Sequence, residues 1–389
     1  MPRLLVAVVV VATACGDNEV PIAPALAAAD TLVLAGHEDD DMIFMAPELR
    51  AAIARGSLTT VYATTQGAAG IDRHLFEAAQ IAYAQLAGSS AWDCGVLAIG
   101  AITVDHCRLA DRGISILNLG LPDGGIEGTR SASLLQLYDG SLASLAAFEG
   151  GSVTQASVVD VFEQLFTATT PREVHTLELA GTHGRDHSSH MFVASLALWA
   201  AARVGFAGPV TWHRGYNVEI EAQDLAGEEL AASRTLLGFY EACADHCGEC
   251  GTSCPMVNAA HEVWLQRQYA VTRTLAAAGK LMTDDASCLD AELASGDCAI
   301  APAFELAPDG ALRIGDRCVA STADGGARLE ACDRSPSQYW VLDSEGGVWN
   351  GMPPAPSADM TFDHVRCLAV GTAPTCGSRG RTAWQFVDE

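Results

Sequence analysis

The segment Thr31-Leu-Val-Leu-Ala runs directly into Gly36-His37-Glu38-Asp39-Asp40-Asp41, and this junction constrains the chain more than any other stretch. The first five residues read as a short apolar strand. Open α/β sheets place their ligands at the carboxyl ends of parallel strands. There the turn offers a neutral imidazole and anionic oxygens together. One imidazole nitrogen and one carboxylate oxygen suit Zn²⁺, and the remaining Asp can act on a metal-activated water. Taken alone, the same residues also read as an acidic, solvated strand end.

From Thr31 to about Val271, short β-branched runs alternate with longer amphipathic ones. Strands are predicted at Thr31–Ala35, Leu58–Ala63, Ile114–Leu117, His175–Leu179 and Val210–Trp212. Helices are predicted at Ala46–Arg55, Arg73–Ala87, Ser157–Phe166, His190–Val204 and Asp224–Ala242. That alternation implies an α/β domain over residues 29–275, a Rossmann-like parallel sheet with helices on both faces.

A single turn cannot complete a metal site. The segment His183-Gly-Arg-Asp186-His187-Ser-Ser189-His190 follows one predicted strand and opens a helix, so it is the evident supplier of further ligands. His187 and His190 are three apart and share a helix face; His183 and His187 do so at a spacing of four.

The first residues, Met1-Pro-Arg3 and then Leu4 to Val11, have a basic start and a short apolar run, the pattern of a secretory signal. The run is too short for a bilayer, which needs ~20 apolar residues. Small residues before Cys15 resemble a bacterial lipobox over residues 1–15, with lipidation at Cys15; cleavage further on is the alternative. Residues 16–28 read as a tether. A membrane is expected as a partner only through that lipid, so the protein is expected in the cell envelope or secreted. Without Cys15, twelve cysteines remain, an even number suited to disulfides in an oxidising compartment. Cys94 and Cys107 form a local pair. Cys243, Cys247, Cys250 and Cys254 crowd one loop, read as two disulfides with a zinc knot as the alternative. The formal net charge of −26 argues against nucleic acid or an anionic lipid surface as partner.

Beyond Leu275 the helical periodicity ends and a threefold repeat begins, over residues 276–389. Cys288-Leu-Asp290 leads to Cys298 and Phe304. Cys318-Val-Ala320 leads to Cys332 and Gln338-Tyr-Trp340. Cys367-Leu-Ala369 leads to Cys376 and Trp384. These units resemble the ricin B-type lectin β-trefoil. The resemblance implies that Phe304, Trp340 and Trp384 pack in a shared core, and that Asp290 is the position able to hydrogen-bond a sugar. Ala320 and Ala369 stand where the other repeats would carry that Asp.

Residues 29–270 resemble the zinc-dependent de-N-acetylases of the PIG-L or LmbE-like type, through Gly36-His37-Glu38-Asp39-Asp40 and His187-Ser-Ser189-His190. The resemblance implies that His37, Asp40 and His190 hold Zn²⁺, with Fe²⁺ or Co²⁺ as alternatives. It implies Asp39 as general base and a protonated His187 as the donor to the oxyanion. Arg73, in Arg73-x-x-x-Glu77-Ala78, and Asp123, in Leu121-Pro-Asp123-Gly124, are the implied substrate contacts. Thr64-Thr-Gln-Gly67 matches a glycine-containing loop of the family. Two residues depart from its pattern. Glu38 stands for a usual Pro and is expected to change only loop stiffness. Ser189 stands for a usual Asp, the carboxylate that orients a catalytic imidazole, for which Asp186 or Asp41 are the candidate replacements. The expected reaction is hydrolysis of acetyl from an N-acetylated amino sugar or glycoconjugate. A sugar-binding lipoprotein with an inactive deacetylase-like domain is the alternative. Oligomeric state is not legible.

Overall fold

In the computed structural model, the residues described are 25–65, 73–130, 132–179, 183–184, 186–244, 247, 249–283, 286–322, 326–350, 366–368 and 384–387. Cys15, Gln66, Gly67, Ala369 and Cys376 lie outside them.

The N-terminal part begins with β1 (Thr31–Ala35), α1 (Asp40–Phe44), α2 (Ala46–Arg55), β2 (Leu58–Thr65) and α3 (Arg73–Ala87). A hairpin of β3 (Trp92–Ile99) and β4 (Ile102–Leu109) precedes β5 (Ile114–Pro122) and α4 (Leu134–Tyr138). A second, small hairpin, β6 (Leu145–Ala146) and β7 (Ser152–Val153), leads into α5 (Gln155–Thr169). Then come β8 (Glu173–Leu177), α6 (Ser188–Val204), β9 (Pro209–His213), α7 (Gly227–Cys243), α8 (Ala259–Leu265) and β10 (Ala270–Thr274).

Eight strands form one sheet in the order β10-β9-β8-β1-β2-β5-β4-β3. The five central strands are parallel. The edges correct the expectation of an all-parallel sheet, because β10, β4 and β3 pair antiparallel. The β3–β4 hairpin turns at Gly100-Ala101, with Gly100 at φ 57°, where an L-side chain is disfavoured. Cys94 and Cys107 face each other across it and are bonded.

β1 is central, with β2 on one side and β8 on the other. The chain therefore reverses its direction of strand addition at β1, and the turn holding His37 lies at that switch point. Helices α4, α5 and α6 share one core with one face of the sheet, and α1, α2, α3 and α7 share another with the opposite face.

Among the described residues the C-terminal part is built of β-strands and loops, with one 3-10 turn at Pro336–Gln338. Its strands are β11 (Ala277–Met282), β12 (Cys288–Leu289), β13 (Ser295–Gly296), β14 (Phe304–Leu306), β15 (Leu312–Ile314), β16 (Arg317–Ser321) and β17 (Ala327–Ala331). β18 (Trp340–Leu342), β19 (Val348–Asn350), β20 (Arg366–Cys367) and β21 (Gln385–Val387) complete it. Every pairing is antiparallel. Phe304, Trp340 and Trp384 are buried in one apolar cluster. Gln338 spans the loop before Trp340, accepting from the Asp333 N–H and donating to the Ala331 carbonyl.

This β region is not hung on a free tether. Helix α6 is apolar on every side and buried from Ser188 to Ala202, which requires cover all round. Val341 and Trp349 belong to the same core as α6, and Ala202 meets Gly310.

Five disulfides occur among the described residues, including Cys288–Cys298 and Cys318–Cys332. The four clustered cysteines pair as Cys243–Cys250 and Cys247–Cys254, not as a zinc knot. Such a set fits folding in an oxidising, extracytoplasmic compartment. No helix among the described residues is long and apolar enough to cross a membrane.

Candidate metal centre

The turn after β1 delivers three consecutive carboxylates to different depths. Asp40 and Asp41 open α1 and are buried, while Asp39 at the N-cap keeps 9% of its surface exposed. The Asp39 backbone carbonyl accepts from the N–H groups of Met42 and Ile43, opening α1. β8 lies beside β1, and its following loop brings the start of α6 to the same place. His187 is the α6 N-cap, its Nδ1 accepting the Ser189 N–H at 3.1 Å.

His37, His187 and His190 are all buried, and one ring nitrogen of each lies within 4.8 Å of the others. Asp40 sits between two of them. Its Oδ1 is 3.0 Å from His190 Nε2 and its Oδ2 is 3.4 Å from His37 Nδ1. Zinc bonds of ~2.0–2.2 Å in a tetrahedron set neighbouring donor atoms about 3.3 Å apart. Both ring nitrogens of His37 and Nε2 of His190 are shielded from solvent without a hydrogen-bond partner. Orphaned buried nitrogens beside a carboxylate are the donor set a divalent cation satisfies. His187 is the less suited of the three histidines, since its Nδ1 already serves the helix cap and its Nε2 lies 3.6 Å from Asp123 Oδ1.

Burial alone would raise the Asp40 carboxyl, but the charges of His190 and His37 hold it well below the usual carboxylate range. Burial disfavours the His190 cation, yet Asp40 and Asp186 push it up to about 9. His187 goes the other way: burial, then the neighbouring His37 and His190 charges, lower it to about 2. With Nδ1 accepting, its neutral ring carries the proton on Nε2. Burial and the adjacent Asp40 charge raise Asp39 above an ordinary aspartate, which suits a base.

Two carboxylates stand beside the ring nitrogens of His190 and His37. Asp186 Oδ1 lies 2.9 Å from His190 Nδ1. Asp123 Oδ1 lies 3.5 Å from His37 Nε2 and accepts the Ser189 hydroxyl at 3.4 Å. Burial raises Asp123, but the neighbouring His37 brings it down to about 2. Asp41 serves elsewhere: its Oδ2 accepts the hydroxyls of Tyr62 and Tyr83, tying α1 to β2 and α3.

Glu38 does more than stiffen a loop. It is fully buried and accepts from Asn118 Nδ2 at 2.8 Å, tying the turn to β5. Burial pushes its carboxyl up to about 8, so a proton replaces the charge a buried side chain would otherwise carry. Arg73 is ion-paired with Asp105 and Glu149, lining a small cleft with Phe76, Gln80 and the Cys94–Cys107 bridge. Among the described residues it makes no ion pair with the histidine cluster. Asp290 Oδ1 accepts the N–H groups of Glu292 and Ala294 and so shapes its own turn.

Sequence reasoning missed the aromatic wall. Tyr216 lies 5.0 Å from the His190 ring and stacks on Trp264 at 4.4 Å, and Phe44 touches all three. Glu241, also unassigned, is buried and pairs with His261 Nδ1 at 2.7 Å. These residues come from four separate segments, so no local spacing announces them. The one available signal was the stapled cysteine loop directly before His261.

No family model matches the chain, and no curated protein matches it. Among solved structures, it is similar to a non-toxic homologue of type II RIPs from Momordica charantia (bitter gourd), in complex with α-methyl-D-galactoside. The two are 16% identical with a TM-score of 0.20; the match covers 30% of this chain and 51% of that chain. The likeness thus spans about half the length of that relative.

Proposed function

We propose that the N-terminal domain is a metal-dependent amide hydrolase that removes acetyl from an N-acetylated amino sugar or glycoconjugate, and that the C-terminal region is a ricin B-type β-trefoil. The observation that carries the first reading is the convergence of His37, Asp40 and His190 around unsatisfied nitrogens, with Asp39 beside them at the N-cap of α1.

His37, Asp40 and His190 would hold the ion, which when bound supplies Lewis acidity and lowers the pKa of water. Asp39 accepts the proton of the attacking water and returns it to the departing amine nitrogen. His187 donates its Nε2–H to the acyl oxygen as negative charge develops there, a contribution of ~3–4 kcal/mol for a well-placed donor. Asp186 keeps His190 oriented throughout. Acetate and a free amine result.

The test is acetate release from N-acetylglucosamine and its β-linked oligomers by the zinc-reconstituted full chain. Asp39→Asn should retain metal and lose at least about a hundredfold in rate, the scale of general-base catalysis. A wild-type protein that holds zinc and releases no acetate from any of these would leave the second reading, a carbohydrate-binding protein without hydrolysis.

A further inference from the structure

Helix α8 carries residues that the hydrolytic steps above do not use, yet it packs against α1, where Trp264 meets Phe44. The segment before it is closed by Cys243–Cys250 and Cys247–Cys254. Its first turn is fixed by Asn258, whose side chain accepts the Ala260 N–H and whose own N–H donates to Glu241. That buried carboxylate also holds His261. Burial disfavours the His261 cation, but Glu241 and the charges of Asp39 and Asp40 hold its pKa above the ordinary value. One turn on, Trp264 lies 5.8 Å from the His261 ring and stacks on Tyr216 at an interplanar angle of 22°. Tyr216 in turn borders His187 at 6.0 Å and His190 at 5.0 Å. Trp264 and Tyr216 are only partly buried.

A partly open aromatic pair beside a metal cluster, with imidazole and carboxylate groups at its edge, suits a ligand having one apolar face and polar substituents around its rim. A pyranose ring is such a ligand. Resting on the amide-hydrolase reading of the cluster, we infer that the partly open Trp264, backed on one face by Tyr216, forms the shelf for the substrate's sugar ring, with His261, oriented by Glu241, beside it. The acyl group then reaches the His37–Asp40–His190 cluster. The paired disulfides keep α8, and hence the shelf, in place.

The experiment is isothermal titration of the full chain with N,N′-diacetylchitobiose, in an Asp290→Ala background that removes the expected trefoil contact. Trp264→Ala should weaken binding about tenfold or more, while Trp264→Phe, which keeps an aromatic face, stays close to the parent. His261→Gln should weaken it by a smaller factor. Thermal melts of all variants separate this from loss of fold. Equal affinity in the parent and Trp264→Ala, or no binding by the parent, overturns the shelf. Binding that depends on Trp264 without acetate release keeps the shelf and removes the hydrolase reading. Acetate release with an unchanged KM in Trp264→Ala removes the shelf alone.

Discussion

Asp186 Oδ1 lies 2.9 Å from Nδ1 of His190, and the same oxygen accepts the backbone N–H groups of His187 and Tyr216. One carboxylate thus ties the first turn of α6 to the segment after β9 and fixes which nitrogen of His190 faces Asp40. A Cβ on Gly215 would fall 2.2 Å from Asp186 Oδ2, so only glycine admits the carboxylate there.

Gly215→Ala and Asp186→Ala should therefore weaken divalent-metal affinity about 10- to 100-fold, the range for losing a group that orients a ligating histidine. Competition with a metallochromic chelator measures this. Affinity unchanged in both variants would show that His190 needs no such support.

Ser189→Asp, which restores the residue usual in the resembled family, should not improve the site. Ser189 Oγ is already 3.4 Å from Asp123 Oδ1, and a second buried carboxylate there would repel the first. The variant should melt lower than wild type and release acetate more slowly. Faster release would mean that Asp123 does not fill that role.

The strand before His37 and most helices were legible because apolar period and caps are local signals. Thr31–Ala35, Ala46–Arg55 and Arg73–Ala87 match the observed elements end to end. The antiparallel edges were not legible, since Val96-Leu97-Ala98-Ile99 and Ile102-Thr103-Val104 carry apolar residues compatible with either strand sense. The strand-end turn at His37 and the His187–His190 pair could be picked out from their spacing, while their roles came from the family resemblance alone. Asp186 could be named only as one of two alternatives, and the contacts of Asp123 and Glu38 could not be named, because each depends on a partner brought near by the sheet. Arg73 shows the converse: its place at the start of α3 was readable, but its pairing with Glu149 spans 76 residues.

The buried pair His175 and His213, 3.1 Å apart, makes stability sensitive to acid. Burial lowers both, and for His213 the neighbouring His175 lowers it further. The unfolded chain then binds more protons than the folded one, so this contribution is present above an unfolded pKa of about 6.5 and is lost as pH falls below it. Tm should drop between pH 7.5 and 5, and His213→Gln should flatten that drop. Parallel curves for the two proteins would assign the acid sensitivity elsewhere.

Truncation after Thr274 should damage the N-terminal domain itself. It removes Val341 and Trp349 from the core they share with α6, and α6 supplies His190. Losing a large buried aromatic alone costs ~3–5 kcal/mol. The truncated chain should aggregate or bind metal more weakly than the full one, as read by light scattering and metal titration. A soluble, fully metal-loaded fragment would make the β region a separable module.

The most direct test of the metal centre is elemental analysis of the folded protein beside an Asp40→Ala, His190→Ala double variant. About one divalent ion per chain in the wild type and none in the variant is the predicted result. No bound ion in the wild type after zinc reconstitution, or equal content in both proteins, would contradict the metal centre and the hydrolase reading built on it.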